Sequence, residues 1–410
     1  MKKLKKYIYL CFGLLTATQA NAAGYQLQEY SVSGLGRSFA GQGIMGDDFS
    51  ALGYNPAGMN FVDRSGIQFG ASVVDIRSKV RGVSTDDFGT TREGKTSPRI
   101  TRVLPSFFGQ YKLNDKTTLG LGVYTPFGLA TDYENDWFGN THGKYSSVSA
   151  INITPAVSYK MTDALSVGLG INIQHMMARL TSSLPAGMGD VDLHDAKDTS
   201  VGYTFGLTYQ PVKSTRFGLA YRSKVSHALK GRNAMTKSGV YGEYGISAKI
   251  ETPETVTFTA AHDLNEKWTL SGTARWTRWS RFDRLTVMQD GYGVLSSTNE
   301  DWQNTWFFAA GADYKYCKNL TFRFGAGWDT TAIRAQERRT ARIPDERRIW
   351  TSLGATYTKN NWQFDMGYSH LFIRANNARG TADSVSPYNS YNAKYSSSSD
   401  ILGAQLQYKF

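Results

Sequence analysis

The sequence is poor in proline and cysteine and has no long apolar segment. Only 10 prolines and 2 cysteines occur in its 410 residues, and the mean hydropathy is −0.40. A helical membrane protein is excluded, because it would need runs of ~20 apolar residues. The 13% aromatic content excludes a disordered or collagen-like chain. Together with 41 glycines, these rings favour strands, since large rings suit one face of a pleated sheet and small residues the other.

The first 22 residues have the pattern of a signal peptide. Four lysines within residues 2–6 precede an apolar run at residues 7–17, and Ala-Asn-Ala at 20–22 is a small-residue cleavage site. Removal of this segment leaves 42 basic and 34 acidic side chains, a net charge of +8, with Cys317 as the one remaining cysteine. An intramolecular disulfide is therefore excluded. Export argues against nucleic acid as a partner. The positive charge then contributes to solubility, or it attracts anionic lipid headgroups or carboxylate ligands.

From about Ser65 to Phe410, the chain repeats segments of roughly ten residues in which polar and apolar side chains alternate. In residues 320–328, for example, every second side chain is Leu, Phe, Phe, Ala or Trp, which is the period of a strand with two different faces. Fourteen such segments are present, and they begin near Ser65, Val103, Thr117, Val148, Leu165, Thr199, Thr215, Thr255, Trp268, Trp302, Leu320, Arg347, Trp362 and Ser398.

The connections between these segments alternate between short turns and long polar loops. An even strand number with this asymmetry is typical of a closed antiparallel outer-membrane barrel. A soluble sandwich or propeller would also alternate, but the signal peptide, the aromatic residues near strand ends and the terminal Phe410 favour the membrane. We therefore predict an all-β protein, with residues 65–410 forming a 14-stranded antiparallel transmembrane β-barrel in the outer membrane of a Gram-negative bacterium.

Residues 23–64 do not alternate in this way. They are rich in glycine and carry scattered large apolar residues such as Leu35, Phe39 and Phe49. Either a periplasmic tail or a plug could precede a barrel, but apolar side chains of this size favour burial. We predict that this segment is an N-terminal hatch that plugs the lumen.

Several short motifs occur in a characteristic order from the cleavage site to Phe410. They are Ala23–Leu27, Ser33–Arg37, Asn55–Ala57, Pro126–Thr131, Thr252–Glu254, Trp276–Ser280 and Ile343–Arg347. In order and spacing they resemble the outer-membrane long-chain fatty-acid transporter (FadL/TodX-type) family, which also includes aromatic-hydrocarbon transporters. In that family a hatch blocks a fourteen-stranded barrel, and hydrophobic substrate enters from outside, binds in the lumen and leaves sideways through a gap made by an inward kink of the third strand.

The resemblance implies positions for the hatch element and for the lateral opening. These are Asn55, Pro56 and Ala57 for the hatch, and Thr125, Pro126, Phe127 and Gly128 for the opening. Pro126 and Gly128 would weaken a strand in any case, because proline cannot donate a ladder hydrogen bond and glycine has no side chain to pack. The same two residues would also suit a simple turn into a surface loop.

A fatty acid needs an apolar groove for its tail and a cation for its carboxylate. Arg179 resembles the position of a basic headgroup contact in the family, although a lumen arginine can also pair with a carboxylate. Gln303 stands where the family has a second cation, which leaves that part of the site in doubt. From the arginine-rich segment that follows, Arg342 and Arg347 are the candidates to compensate.

Two long loops carry large apolar side chains. The resemblance implies that they form an external capture groove with Trp137, Phe138, Leu184 and Met188. Exposed apolar residues generally mark binding surfaces. These side chains could instead pack on each other or anchor in lipopolysaccharide.

These features predict a passive outer-membrane transporter of hydrophobic small molecules, above all long-chain fatty acids. The six histidines are scattered without metal-ligand spacing, so we expect no metal, no cofactor and no catalytic residue. The expected partners are a long-chain fatty acid or other hydrophobic ligand, outer-membrane lipid and lipopolysaccharide, and the barrel-assembly machinery through Phe410; we expect a monomer. An aromatic-hydrocarbon transporter, a general porin for hydrophilic solutes and an adhesin or receptor are the alternatives.

Overall fold

Strands dominate the computed structural model, which describes residues 24–237, 240–381 and 388–410. They are β1 (Gly66–Thr85), β2 (Thr91–Thr96), β3 (Arg99–Lys112), β4 (Thr117–Asp132), β5 (Tyr145–Lys160), β6 (Leu165–Ser183), β7 (Gly189–Val212), β8 (Thr215–Arg222), β9 (Val225–Lys237), β10 (Val240–Thr252), β11 (Thr255–Asp263), β12 (Trp268–Thr277), β13 (Arg284–Gln289), β14 (Gly293–Asn299), β15 (Thr305–Cys317), β16 (Leu320–Asp329), β17 (Arg348–Lys359), β18 (Trp362–Ile373), β19 (Asn376–Ala378) and β20 (Ser390–Lys409). Within the described ranges no helix has the length and apolar character needed to cross a membrane. The signal peptide predicted for residues 1–22 lies outside them.

Fourteen of these strands form a closed antiparallel ring. Around the ring their order is β1, β3, β4, β5, β6, β7, β8, β11, β12, β15, β16, β17, β18 and β20. The ring closes where β20 pairs with β1, from Gly66 opposite Lys409 to Thr85 opposite Ser390. The predicted 14-stranded barrel is confirmed.

Side chains in the wall alternate between the two faces of the sheet. In β18 the exposed positions are Trp362, Phe364, Met366 and Tyr368, and the buried ones between them are Gln363, Asp365, Gly367 and Ser369. Apolar residues face outward because bilayer hydrocarbon offers no hydrogen-bond partners, and closure of the ring leaves no unpaired sheet edge. The polar face lines the interior.

Six further strands extend the wall beyond the ring. β2 pairs with β1, and β19 pairs with β20. The β9–β10 hairpin pairs with the first half of β7, and the β13–β14 hairpin continues the sheet from β10. Leu193 of β7 forms a small apolar core with Ile246 and Val287 of this second group. We call the group β9, β10, β13 and β14 the extension sheet.

Residues 24–62, here called the inner segment, are packed inside the ring. The segment contains helices α1 (Val32–Leu35) and α2 (Ala51–Tyr54) and a 3₁₀ helix at Pro56–Phe61. Ser31 caps α1 by accepting a hydrogen bond from the backbone N–H of Gly34 at 2.9 Å. Leu35, Phe39, Ile44, Phe49 and Leu52 are fully buried. This placement removes from water the large apolar side chains noted in the sequence.

Glycines in the wall allow the inner segment to approach the strands closely. A Cβ on Gly168 would lie 2.3 Å from the backbone nitrogen of Ala57, and one on Gly206 would lie 2.0 Å from Oδ1 of Asn55. Larger residues at these two positions would push the inner segment away from β6 and β7.

A buried ion cluster joins the inner segment to the opposite side of the wall. Nη1 of Arg37 lies 2.6 Å from Asp47 and 3.0 Å from Asp313. Arg323 on β16 contacts Asp47 at 3.1 Å and Asp365 at 3.5 Å. Because each buried charge here has an opposite partner, the cluster fixes the inner segment to β15, β16 and β18.

Candidate functional site

The wall is interrupted between β3 and β4. β3 pairs with β4 only from Phe107 to Lys112, opposite Thr118 to Val123, although both strands continue beyond this ladder. β4 also contains a bulge, because Tyr124 lies opposite Asn152 and Phe127 opposite Ala150, so that Thr125 and Pro126 together face one residue of β5. A bulge bends a strand. From Thr125 to Thr131 every residue of β4 is buried, so this half of the strand turns into the interior.

The residues predicted for the lateral opening, Thr125 to Gly128, lie at this bend and contact the start of the inner segment. The N–H of Leu27 donates to the carbonyl of Pro126 at 2.8 Å, and the N–H of Gly128 donates to the carbonyl of Tyr25 at 2.7 Å. The inward half of β4 thus gains ladder partners from the inner segment instead of from β3. The bend is therefore part of the wall and not a turn into a surface loop.

Asn55, Pro56 and Ala57 contact the wall at β5 to β8. Nδ2 of Asn55 donates to the carbonyl of Leu207 at 3.0 Å, and its Oδ1 accepts from the N–H of Ala57 at 3.1 Å. The Ser158 hydroxyl donates to the carbonyl of Ala57 at 3.1 Å. These bonds satisfy backbone groups that a buried loop would otherwise leave without partners.

A cavity of ≈ 630 Å³ lies above the start of the inner segment. Its apolar lining comes from the inner segment, the inward half of β4, the ring and the extension sheet, and includes Tyr25, Leu129, Val148, Leu193, Leu229, Ile246, Ile250, Phe282, Val287 and Leu295. This size and composition are typical of a site for a drug-sized apolar ligand.

Arg342 lines this cavity as a partly buried cation. Its Nη1 donates to the hydroxyl of Ser146 at 3.0 Å and to the carbonyls of Thr181 and Tyr145 at 3.1 and 3.3 Å. No carboxylate of the described residues lies within 4.0 Å of the guanidinium. Burial lowers the pKa of Arg342 to about 10, because a charge removed from water without an opposite charge is unfavourable. An anionic ligand in the cavity would supply that opposite charge.

The other two predicted headgroup cations are already paired. Arg179 lines the cavity, but its guanidinium makes a two-bond contact with Asp192 at 3.0 and 2.7 Å. Arg347 is exposed, lies 3.5 Å from Glu346 and is not part of the cavity lining. Gln303 donates to the carbonyl of Thr331 at 3.1 Å and also lies outside the lining. Of the three predicted arginines, Arg342 alone combines access to the cavity with the lack of a carboxylate partner among the described residues.

The four residues predicted for the capture groove separate into two places. Trp137 and Phe138 are buried in an aromatic cluster, in which Trp137 stacks on Tyr133 at 4.0 Å and Phe138 packs beside Tyr391. Leu184 lines the cavity, and Met188 lies just after it in the same loop, half-buried and outside the lining. The first loop therefore places these two rings in the aromatic cluster, here called the cap of the barrel. Both loops contribute to the cavity lining, the first with Thr141 and His142 and the second with Leu184 and Pro185.

Glu300 and the rings around Tyr25 are residues that the sequence did not single out. Tyr25 contacts Trp279, Phe282 and Trp302, with ring centroids 4.6 to 6.0 Å apart. Glu300 lines the same end of the cavity and accepts a hydrogen bond from Nε1 of Trp302 at 3.0 Å. Burial raises the pKa of Glu300 to about 7. The motifs Ala23–Leu27 and Trp276–Ser280 contain Tyr25 and Trp279, but they did not show which ring would face the cavity.

In the described ranges, no group of three or more His, Cys, Asp or Glu side chains is arranged to hold a metal ion.

Comparisons with known proteins agree along the whole chain. The family model for outer membrane transport proteins (OMPP1/FadL/TodX) matches residues 13–410. Outer membrane protein P1 of Haemophilus influenzae is 29% identical, with 100% of both chains covered. The long-chain fatty acid transport protein of Escherichia coli K12 is 26% identical over 87% of this chain and 89% of its own. The crystal structure of a Pseudomonas aeruginosa FadL homologue shares the fold, with a TM-score of 0.88 and 24% identity over 95% of this chain and 100% of that one.

Proposed function

We propose, on the premise that the chain belongs to the outer membrane transport family of OMPP1, FadL and TodX, that it carries long-chain fatty acids and releases them sideways through its wall. Membership of the family already gives the general function. Members of this family are passive transporters of hydrophobic molecules in the outer membrane of Gram-negative bacteria, so the chain is an outer-membrane transporter and not an enzyme.

The observation that supports a fatty acid is the combination of an apolar cavity with Arg342. An alkyl tail gains ~0.8 kcal/mol for each CH₂ group that it removes from water, and the cavity lining offers mostly apolar side chains for it. The carboxylate would lie against the Arg342 guanidinium, where a charge-assisted hydrogen bond is strengthened by burial. Arg179 would act earlier, because its exposed pair with Asp192 can exchange one carboxylate for another at small cost.

The break between β3 and β4 supports lateral exit. Leu129, on the inward half of β4, lines the cavity, so the bound tail lies close to the strand that leaves the wall. A tail that continued down a watery channel would return its CH₂ groups to water, whereas a tail that moves through the wall enters lipid. In this mechanism the hatch, residues 23–64, blocks the straight path, and the start of the inner segment at Tyr25 and Leu27 must shift before the tail can pass.

One observation favours aromatic hydrocarbons as a second candidate. Tyr25, Phe282 and the neighbouring tryptophans form a box of rings at one end of the cavity, and rings of this kind bind aromatic ligands well. An uncharged aromatic ligand would not form an ion pair with Arg342. The two substrates therefore differ in their dependence on this cation.

Arg342→Ala tests the proposal. The purified protein and the variant are titrated with oleate and with toluene, and both are expressed in a strain that lacks its own transporter, with growth on each compound as the second measurement. We expect oleate affinity to fall at least tenfold, which corresponds to ~1.4 kcal/mol, with little change for toluene. Arg347→Ala is the matched control, because Arg347 is an arginine of the same segment that does not face the cavity.

Two results would count against a fatty-acid carrier. One is toluene uptake with no oleate uptake by the unmodified protein, which would make the second candidate correct. The other is an equal loss of both ligands in Arg342→Ala with none in Arg347→Ala, which would mean that Arg342 holds the cap together and does not bind a carboxylate.

A further inference from the structure

The outer face of β20, β1 and β3 changes abruptly from apolar to charged. Val73 of β1 lies between Leu402 and Val103, and all three side chains are exposed to the outside of the barrel. Two residues further along β1, Asp75 lies between Asp400 and Thr101. Since hydrocarbon does not tolerate such charges on the outside of a barrel, the bilayer core ends between these two rows.

Above this boundary the outward side chains are mainly cations. Arg77 lies opposite Arg99, and both guanidiniums contact the single carboxylate of Asp75, at 2.7 and 2.8 Å. Asp400 lies 3.9 Å from Arg77 and accepts from His370 at 2.8 Å. This lower part of the surface is therefore close to balanced.

The next rows are not balanced. Arg81 of β1 lies directly opposite Lys394 on one side and Lys95 on the other. All three are exposed, as is Lys79, which shares their face two residues earlier. Directly opposite residues in an antiparallel pair have Cα atoms about 5 Å apart, and Lys79 lies about 7 Å from Arg81 along the strand. We call Lys79, Arg81, Lys95 and Lys394 the cationic patch.

Some exposed cations of the barrel have carboxylate partners, whereas those of the patch stand together without one in the described ranges. Lys224 contacts Glu251 at 2.8 Å, and Arg232 contacts Glu243 at 3.1 Å. For the four patch residues, no carboxylate of the described chain lies within 4.0 Å; Glu93 is on the same face, next to Lys95 along β2. Like charges directly opposite in a sheet are destabilising. An anion from outside the protein, shared by the three cations of this row, would offset their mutual repulsion.

We propose that the cationic patch binds the phosphorylated headgroup of an outer-leaflet lipid, the phosphorylated lipid A part of lipopolysaccharide. The patch lies on the outward face beyond the apolar rows, with the Asp75 and Arg77 rows between, on the side where lipid headgroups lie. Lys and Arg near a membrane surface attract anionic headgroups, and a guanidinium matches phosphate geometry. Acyl chains of the same molecule would lie against Val73, Val103 and Leu402. The lipid would border the edge of β3 that faces the wall break.

Native mass spectrometry of the detergent-solubilised full-length protein tests this site with two probes, bis-phosphorylated lipid A and the same lipid with its phosphates removed. The variant Lys79→Gln/Arg81→Gln/Lys95→Gln/Lys394→Gln removes the patch. We expect the unmodified protein to hold the phosphorylated lipid at least tenfold more tightly than the dephosphorylated one, and we expect the variant to lose this preference. Excess inorganic phosphate should compete weakly, because it lacks the acyl chains.

The control carries the same charge change at the short-turn end of the barrel, in Lys213→Gln/Lys267→Gln/Lys315→Gln/Lys359→Gln, where all four lysines are exposed. It should bind lipid A as the unmodified protein does. The proposal is overturned if the unmodified protein binds the two lipids equally, or if the control loses as much phosphorylated lipid as the patch variant. The first comparison uses the unmodified protein alone and so does not depend on how either variant folds.

Discussion

Glu300 is a carboxyl group inside an apolar cavity. It accepts a hydrogen bond from Trp302, interacts electrostatically with Tyr25, and feels the charge of Arg338, which opposes the effect of burial. Since its pKa is raised to about 7, the buried group favours the neutral form, and the folded site loses stability as pH rises from the ordinary carboxyl range to about 7. An apolar tail beside Glu300 should bind better when the group is neutral.

We therefore predict that affinity for hexadecanol, which has no titrating group, falls roughly tenfold between about pH 6 and pH 8. Glu300→Gln should bind hexadecanol with the same affinity across this range. The affinities can be measured by displacement of a fluorescent fatty-alcohol analogue from the purified protein. A pH dependence that persists in Glu300→Gln would assign the titration to another group.

At the residue scale, the sequence predicted a cationic headgroup site but could not select among its candidate arginines. Arg342 and Arg347 are five positions apart in one polar segment, and nothing in their neighbours separates them. The difference arises when this segment folds back over the ring and buries Arg342 against Ser146 and Thr181. Trp137 and Phe138 show the same limit, because a loop ring can face a groove or its own cap, and only the packing against Tyr391 and Tyr395 decides.

Among the elements, the bend in β4 allows a test of lateral exit. Thr125 and Pro126 together face one residue of β5, so deletion of Pro126 removes the extra residue and should let β4 run on without its bend. We expect oleate uptake by cells to fall more than tenfold, with oleate binding to the purified protein reduced less than threefold. Pro155→Ala is the control, because Pro155 of β5 lies opposite Leu121 in a part of the ladder without a bulge. Unchanged uptake after the deletion would contradict lateral exit at this place.

The positions of the strands were predictable where one face of a strand contacts lipid. β4, β6, β8, β11, β12, β16 and β18 begin at the predicted residues Thr117, Leu165, Thr215, Thr255, Trp268, Leu320 and Trp362. Beyond the bilayer the outward face of a strand is wet, and the outward apolar rows that mark a strand of the wall disappear. For this reason β7 begins at Gly189 instead of near Thr199, β20 begins at Ser390 instead of near Ser398, and the extension sheet was not foreseen.

For the molecule as a whole, the buried ion cluster decides how firmly the lumen is filled. Arg37→Ala leaves Asp47 and Asp313 short of a cation in a buried site, which typically costs about 3–5 kcal/mol. We predict that this variant opens an ion-conducting pore in planar bilayers, whereas the unmodified protein stays almost closed. Lys224→Ala, which breaks an exposed pair with Glu251, should behave as the unmodified protein does.

Large, stable conductance in the unmodified protein would favour a general porin. Conductance that stays low in Arg37→Ala would mean that other contacts hold the inner segment, such as those of Asn55 with Leu207.

The extension sheet has a consequence for how such a protein can change over time. Its Ile246 and Val287 pack against Leu193 of β7, and the same side chains face the cavity, yet none of them needs to be compatible with hydrocarbon if this sheet projects beyond the bilayer. Substitutions there would not be constrained by insertion into the membrane, so selection by antibodies or phage could favour many of them. The range of transported substrates and the surface antigenicity would then change together, because the extension sheet contributes to both.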